Sequence, residues 1–112
     1  MLVSRLSYTF AAAHHLPPTV PACRGPHGHN YRVAFDVDAD QMSDGTAVVG
    51  HGERLGAVIV ALHGCDLNVA LRDWPTAPNL ALHLYEVARG LGVPVRRVSV
   101  LQDDAHVGVY TP

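Results

Sequence analysis

Two stretches of strict two-residue alternation constrain this chain more than any other feature. In residues 2–14, Leu2, Leu6, Tyr8, Phe10, Ala12 and His14 fall on one face, with Arg5, Ser7 and Thr9 on the other. In residues 27–38, His27, His29, Tyr31, Val33, Phe35 and Val37 share one face, with Asn30, Arg32, Asp36 and Asp38 opposite. A period of two places alternate side chains on one side of a pleated backbone, so both stretches read as strands with one apolar face. Between them Pro17, Pro18, Pro21, Gly25 and Pro26 break any regular element, which makes 16–26 a loop.

Downstream the period changes. Leu55, Val58, Ile59 and Leu62 recur at helical spacing, and Gly64 can stop that helix. The polar, Gly-rich residues 39–52 read as a connection. Thr76 is a candidate N-cap with Pro78 in the first turn, and Leu80, Leu84, Val87 and Leu91 trace a second helical stripe ended by Gly90 and Gly92. Val95, Val98 and Val100 mark a third strand and Ala105 to Tyr110 a fourth. The expected order is ββααββ, an α+β domain whose two helices cover one face of a four-stranded antiparallel sheet.

At 112 residues the chain has room for one domain with a real core and not for two. Its net charge of −2 and the lack of any basic stripe argue against nucleic acid as a partner. No apolar run reaches the length of a membrane span, and Arg5, Ser7 and Thr9 interrupt any signal-like N-terminus. The expectation is a cytoplasmic protein whose Cys23 and Cys65 are thiols rather than a disulfide.

The eight histidines are the unusual count. On a strand, His27 and His29 project from one face around Gly28, and His14 ends the first strand on its apolar face. If the two strands pair, three imidazoles meet. Three His on a rigid sheet with no fourth protein ligand is a pattern for catalytic zinc, with the open position left to water or substrate. A bare His-x-His pair is more often a chance surface pair; the strand bearing His14, and Cys23 just before His27, shift the balance to metal. His15 should point to the opposite face.

The segments Phe10-Ala11-Ala12-Ala13-His14-His15-Leu16-Pro17 and Cys23-Arg24-Gly25-Pro26-His27-Gly28-His29-Asn30-Tyr31 resemble the paired signatures of the 6-pyruvoyl/6-carboxytetrahydropterin synthase family. Pro75-Thr76 followed by Asn79-Leu80-Ala81 is similar to that family's P-T-x-E-N-L-A helix start, with Pro78 where the Glu would stand. The resemblance implies a T-fold subunit that assembles into homo-oligomers, commonly hexamers built as dimers of trimers, with active sites between subunits. It implies a lyase that binds one Zn2+ through His14, His27 and His29. The substrate it implies is a small heterocycle, a dihydropterin triphosphate whose side-chain oxygens complete the metal shell. By the same match Cys23 is the acid/base thiol; its bland alternative is a small apolar residue in a loop.

Two departures stand out. The family's L-D-H-x-x-L-N segment becomes Leu62-His63-Gly64-Cys65-Asp66-Leu67-Asn68, so the Asp-His relay is replaced. His63 can supply an imidazole one residue early, or simply end a helix beside Gly64. The pterin-anchoring Glu of a V-x-V-x-E-T run becomes Gln102, which offers one acceptor and one donor where a carboxylate offers acceptors only. Asp103 has the right chemistry but falls on the other face by strand parity, barring a bulge. With no Lys in the chain, cations for a triphosphate must come from Arg24, Arg32, Arg72 or a neighbouring subunit. Three readings stay open: a divergent tetrahydropterin synthase, a zinc enzyme with another substrate, and a non-catalytic zinc-containing ligand-binding or assembly subunit.

Overall fold

The computed structural model describes residues 1–17, 19, 27–40 and 45–112. Both alternating stretches are strands, β1 over Val3–His14 and β2 over His27–Asp38. They pair antiparallel from Val3 opposite Asp38 to His14 opposite His27. β3, Val95–Gln102, pairs with β2, and β4, His106–Tyr110, pairs with β3, giving one sheet in the order β1-β2-β3-β4. Between β2 and β3 lie α1 over Thr46–Leu62, the single turn α2 over Leu67–Ala70, and α3 over Ala77–Gly90.

The expected α+β fold with an antiparallel four-stranded sheet is the observed one, and the differences are local. α1 starts at Thr46, inside the stretch read as a connection, and Gly45 before it has a φ of 79°. Gly50 and Gly52 depress helix propensity, yet the Tyr8 hydroxyl donates to the Gly52 carbonyl at 2.9 Å and ties that turn to β1. In α3 the buried stripe is Ala77, Leu80, Ala81, Leu84 and Ala88, while Leu91 is exposed beyond the helix end. β3 carries a register shift opposite Asp36 and Val37. That bulge turns Val95 and Val98, three apart, to the same side, where both are buried.

The core lies between the sheet and the helices. Val33, Phe35, Val98 and Val100 are fully enclosed from the sheet side, and Leu55, Leu80 and Leu84 from the helix side. Removing such side chains from water is the main stabilising term, at roughly 1.5–3 kcal/mol for each large one. The opposite face is polar: the Arg5 guanidinium grips the Asp36 carboxylate with two bonds of 2.7 and 3.0 Å and holds that carboxyl below its usual range. α1 packs on β1, and α3 packs on β3 and β4.

The edge of β1 nearest His14 is covered by the chain that leaves α1. The Gly64 N–H donates to the Ala11 carbonyl at 2.7 Å, and the Ala13 N–H donates to the Cys65 carbonyl at 3.0 Å. Gly64 turns there with a φ of 76°, a conformation that costs other residues more. At the other edge, Gly108 of β4 lies directly beneath the entry to α3. A Cβ at Gly108 would come within 2.2 Å of the Ala77 carbonyl carbon and the Pro78 nitrogen. Gly108→Ala is therefore expected to lower stability by about 1–3 kcal/mol, because only backbone can yield. Urea unfolding of the two proteins checks this; equal midpoints would show that the approach is looser than described.

Candidate metal centre

The β1–β2 ladder brings the histidines together. His14 lies opposite His27 and Ala12 opposite His29, so the three imidazoles rise from adjacent strands on the helix-covered face. Their ring centroids are 4.6, 4.6 and 4.5 Å apart, and each ring stands edge-on to the other two at 71–83°. One ligand atom from each lies within 4.8 Å of the others. The Nε2 atoms of His14 and His27 are 3.0 Å apart.

Neighbouring acceptors decide which nitrogen faces inward. His14 Nδ1 lies 3.0 Å from the Pro75 carbonyl, which only accepts, so Nδ1 carries the proton and Nε2 keeps its lone pair. Pro75 is placed by the entry to α3, where Thr76 caps the helix by accepting from the Asn79 N–H. His29 Nδ1 donates to the Asp103 carboxylate, which in the neutral ring leaves Nε2 as the acceptor nitrogen. His29 Nε2 is buried without a hydrogen-bond partner among the described residues.

Burial holds the His14 imidazole below its usual pKa, and its neighbours His29 and His27 add to that. It therefore stays neutral at pH 7, the form that binds a metal. The Tyr31 hydroxyl sits 3.3 Å from His14 Nδ1, and burial pushes its pKa up, so it stays protonated. A buried acceptor nitrogen with nothing to accept costs about 1–3 kcal/mol. An ion at the point where the Nε2 atoms converge would satisfy it. Three imidazole nitrogens brought this close together suit zinc in particular.

The remaining sequence candidates are spread around this centre. Cys23 and Arg24 lie outside the described residues. His63 caps the end of α1, and its Nδ1 accepts the Ala11 N–H at 3.1 Å. It lines an open hollow of about 300 Å³ together with Thr9, Asn30, Arg32, Asp103 and Asp104. Cys65 is a free thiol whose pKa is pushed up by burial and by Asp66, a setting that disfavours a thiolate. Gln102 is 8% exposed and faces a hollow of about 380 Å³ with Thr76, Pro78 and His106. Its amide makes no hydrogen bond to another described residue.

Three contributors were not singled out for this role from the sequence. Asp103, expected on the other face, instead reaches His29. It and Asp104 have φ of 50° and 58°, and this left-handed turn ends the strand parity that the expectation relied on. Pro75 acts through its carbonyl, which no residue type advertises. Asn68 clamps the strand end: its Oδ1 accepts the His15 N–H at 2.8 Å and its Nδ2 donates to the His15 carbonyl at 3.0 Å. The His15 ring stands edge-on to Trp74 with centroids 5.9 Å apart and takes no place in the trio.

Comparison with known proteins identifies the family and the fold. A family profile described as 6-pyruvoyl tetrahydropterin synthase matches residues 4–112. A protein of Archaeoglobus fulgidus named "Putative 6-carboxy-5,6,7,8-tetrahydropterin synthase" is 26% identical over 104 residues, covering 92% of this chain and 90% of its own length. The solved structure of 6-pyruvoyl tetrahydropterin synthase from Caenorhabditis elegans superimposes with a TM-score of 0.84 at 16% identity, over 99% of this chain and 95% of that one. At that identity the likeness speaks to the fold.

The Asn68 clamp lends itself to a direct check. Asn68→Ala leaves the His15 N–H and carbonyl without their partner, so a loss of about 1–3 kcal/mol is expected. Asn68→Asp keeps the acceptor for the N–H but sets a carboxylate oxygen against the His15 carbonyl, so it should be no more stable than the alanine variant. Denaturant unfolding of both variants reads this ordering, and an alanine variant as stable as the parent would contradict it.

Proposed function

The chain belongs to the 6-pyruvoyl tetrahydropterin synthase family, and from that premise we propose that it is a zinc-dependent lyase acting on the side chain of a dihydropterin triphosphate or a related heterocycle. The observation that carries the proposal is the convergence of His14, His27 and His29, with His29 Nε2 buried and without a hydrogen-bond partner among the described residues. A zinc ion held by those three nitrogens would polarise a substrate hydroxyl and acidify the adjoining C–H.

Within this reading each of the chain's own residues has a task. His14, His27 and His29 are the ligands, and the Pro75 carbonyl and Asp103 carboxylate fix the rings of His14 and His29. Cys23, four residues before His27, is the group that takes and returns the proton. Cys65, with its thiol pushed up, is a poor substitute. His63, bonded to the β1 backbone at the hollow shared with Asp103, is the candidate for the second imidazole that the Asp-His relay would otherwise supply. Arg32 and Arg72 are the described cations nearest the walls of the open hollows, available for phosphate. The active unit is a homo-oligomer in this reading. The uncovered sheet face and the exposed Val107 and Val109 on edge strand β4 support that.

Zinc-loaded protein is expected to consume dihydroneopterin triphosphate with release of triphosphate. Cys23→Ala should cut turnover by about 10²–10⁴-fold with zinc retained, and His27→Ala should lose the zinc itself. Triphosphate-release kinetics and metal analysis of the three proteins check this. A substrate left intact by the zinc-loaded parent overturns the lyase reading.

A second reading is favoured by Gln102, which lines the hollow beside Thr76 and His106 where the family carries a carboxylate. A donor beside an acceptor matches a ring edge with one acceptor and one donor, rather than two adjacent N–H donors. The same scaffold would then serve a different heterocycle. Gln102→Glu should raise affinity for an ordinary dihydropterin tenfold or more, by calorimetry. Equal affinities would remove the ground for this alternative.

A further inference from the structure

We propose that Asp103 is a positioning residue of the metal centre: its carboxylate holds the His29 imidazole in the tautomer and rotation that turn Nε2 toward the Nε2 atoms of His14 and His27. The inference rests on the zinc reading above and adds a residue that the motif resemblance does not assign to the metal.

The backbone places Asp103 first. Asp103 follows β3 and starts the turn to β4, which the Ala105 N–H closes by donating to the Gln102 carbonyl at 3.0 Å. Asp103 and Asp104 are the only non-glycine residues with positive φ among those described. Two consecutive left-handed residues cost roughly 1–2 kcal/mol each, and Asp tolerates the conformation better than most. An extended residue 103 would send its side chain to the face away from the histidines. The turn instead swings the carboxylate back over the end of β2.

Two anchors then fix it. The Asp103 N–H donates to the Asn30 carbonyl at 2.8 Å, and Asp103 Oδ1 accepts the Asn30 N–H at 2.8 Å. The side chain thus continues the β2–β3 ladder by one step, taking the part of a strand carbonyl. With Oδ1 held by Asn30, Oδ2 is left to accept from His29 Nδ1. A carboxylate gripped at one oxygen by the backbone is a rigid acceptor for an imidazole at the other. Carboxylates placed behind a metal-binding His in this way orient the ring and raise its basicity, and their loss typically costs 10–100-fold in metal affinity.

His14 makes the contrast clear. Its outer nitrogen meets a neutral carbonyl delivered by the α3 entry, whereas that of His29 meets a charged group delivered by a turn. The two rings are therefore steered by different parts of the chain. The Asp103 link also reaches outward, because Asp103 forms part of the wall of the hollow lined by His63 and Arg32.

A turn residue could also matter for stability alone, and the test separates the two roles. Asp103→Asn keeps tolerance of the left-handed turn and an acceptor for Asn30 but removes the charge. Asp103→Gly removes the side chain and favours the positive φ. On the full chain, zinc affinity is read by competition with a chelator. The His29 tautomer is read by ¹⁵N NMR of zinc-free protein, and folding by thermal unfolding without zinc. Both variants are expected to bind zinc 10–100-fold more weakly and to lose the Nδ1–H preference of His29, with the glycine variant unfolding no earlier than the parent. Wild-type zinc affinity in both variants, or an unchanged His29 tautomer in both, overturns the proposal. So does an affinity loss confined to a variant that unfolds earlier. A parent chain that takes up no zinc would overturn the metal reading first, and this inference with it.

Discussion

The register of β1 against β2 is the constraint on which the rest depends. His14 sits opposite His27 at the end of the ladder, one step from the pair formed by Ala12 and His29. A slip of one residue would carry His14 to the polar face and separate the trio, and would carry Phe10 and Ala12 out of the core with it. The histidine cluster and the core therefore share a single determinant. The alternation that buries Phe10, Tyr31, Val33 and Phe35 is the same one that aims three imidazoles at one point.

Around that register, the centre is assembled from outside in. The imidazoles come from adjacent strands, but the groups bonded to their outer nitrogens come from the α3 entry, through Pro75, and from the β3–β4 turn, through Asp103. Asn68 adds a third point by fastening the residue after His14. Even the close approach of Gly108 to Ala77 belongs here, because it seats the helix entry that carries Pro75. Each support is remote in sequence from the histidine it serves, so the geometry exists only once the sheet and helices have closed on one another.

How much of this was legible follows from which physics is local. Strand parity needs only a repeat of two, so the sheet, its buried face and the likeness of roles among His14, His27 and His29 could be read directly. Thr76 was legible as a cap because its side chain serves a backbone group three residues away. What escaped depends on backbone departures or on distant partners. Parity failed at Asp103 once the backbone left the extended region, and it was re-phased by the bulge near Val95. The first turns of α1 were hidden by glycines whose low propensity is overridden by the bond from Tyr8. Asn68 and the Pro75 carbonyl pair across more than 50 residues, a separation that no spacing rule spans.

The chain leaving α1 has a consequence for the outer border of the sheet. By occupying the main-chain groups of Ala11 and Ala13, Gly64 and Cys65 end the accessible border of β1 just short of the histidines. Val3, Arg5, Ser7 and Thr9 lie on that same border by the two-residue repeat, and a strand laid alongside could advance along them only as far as this barrier. The barrier thus works as a ruler. Any second polypeptide that extended the sheet there would arrive with its position already measured, its end fixed at a set distance from the imidazoles.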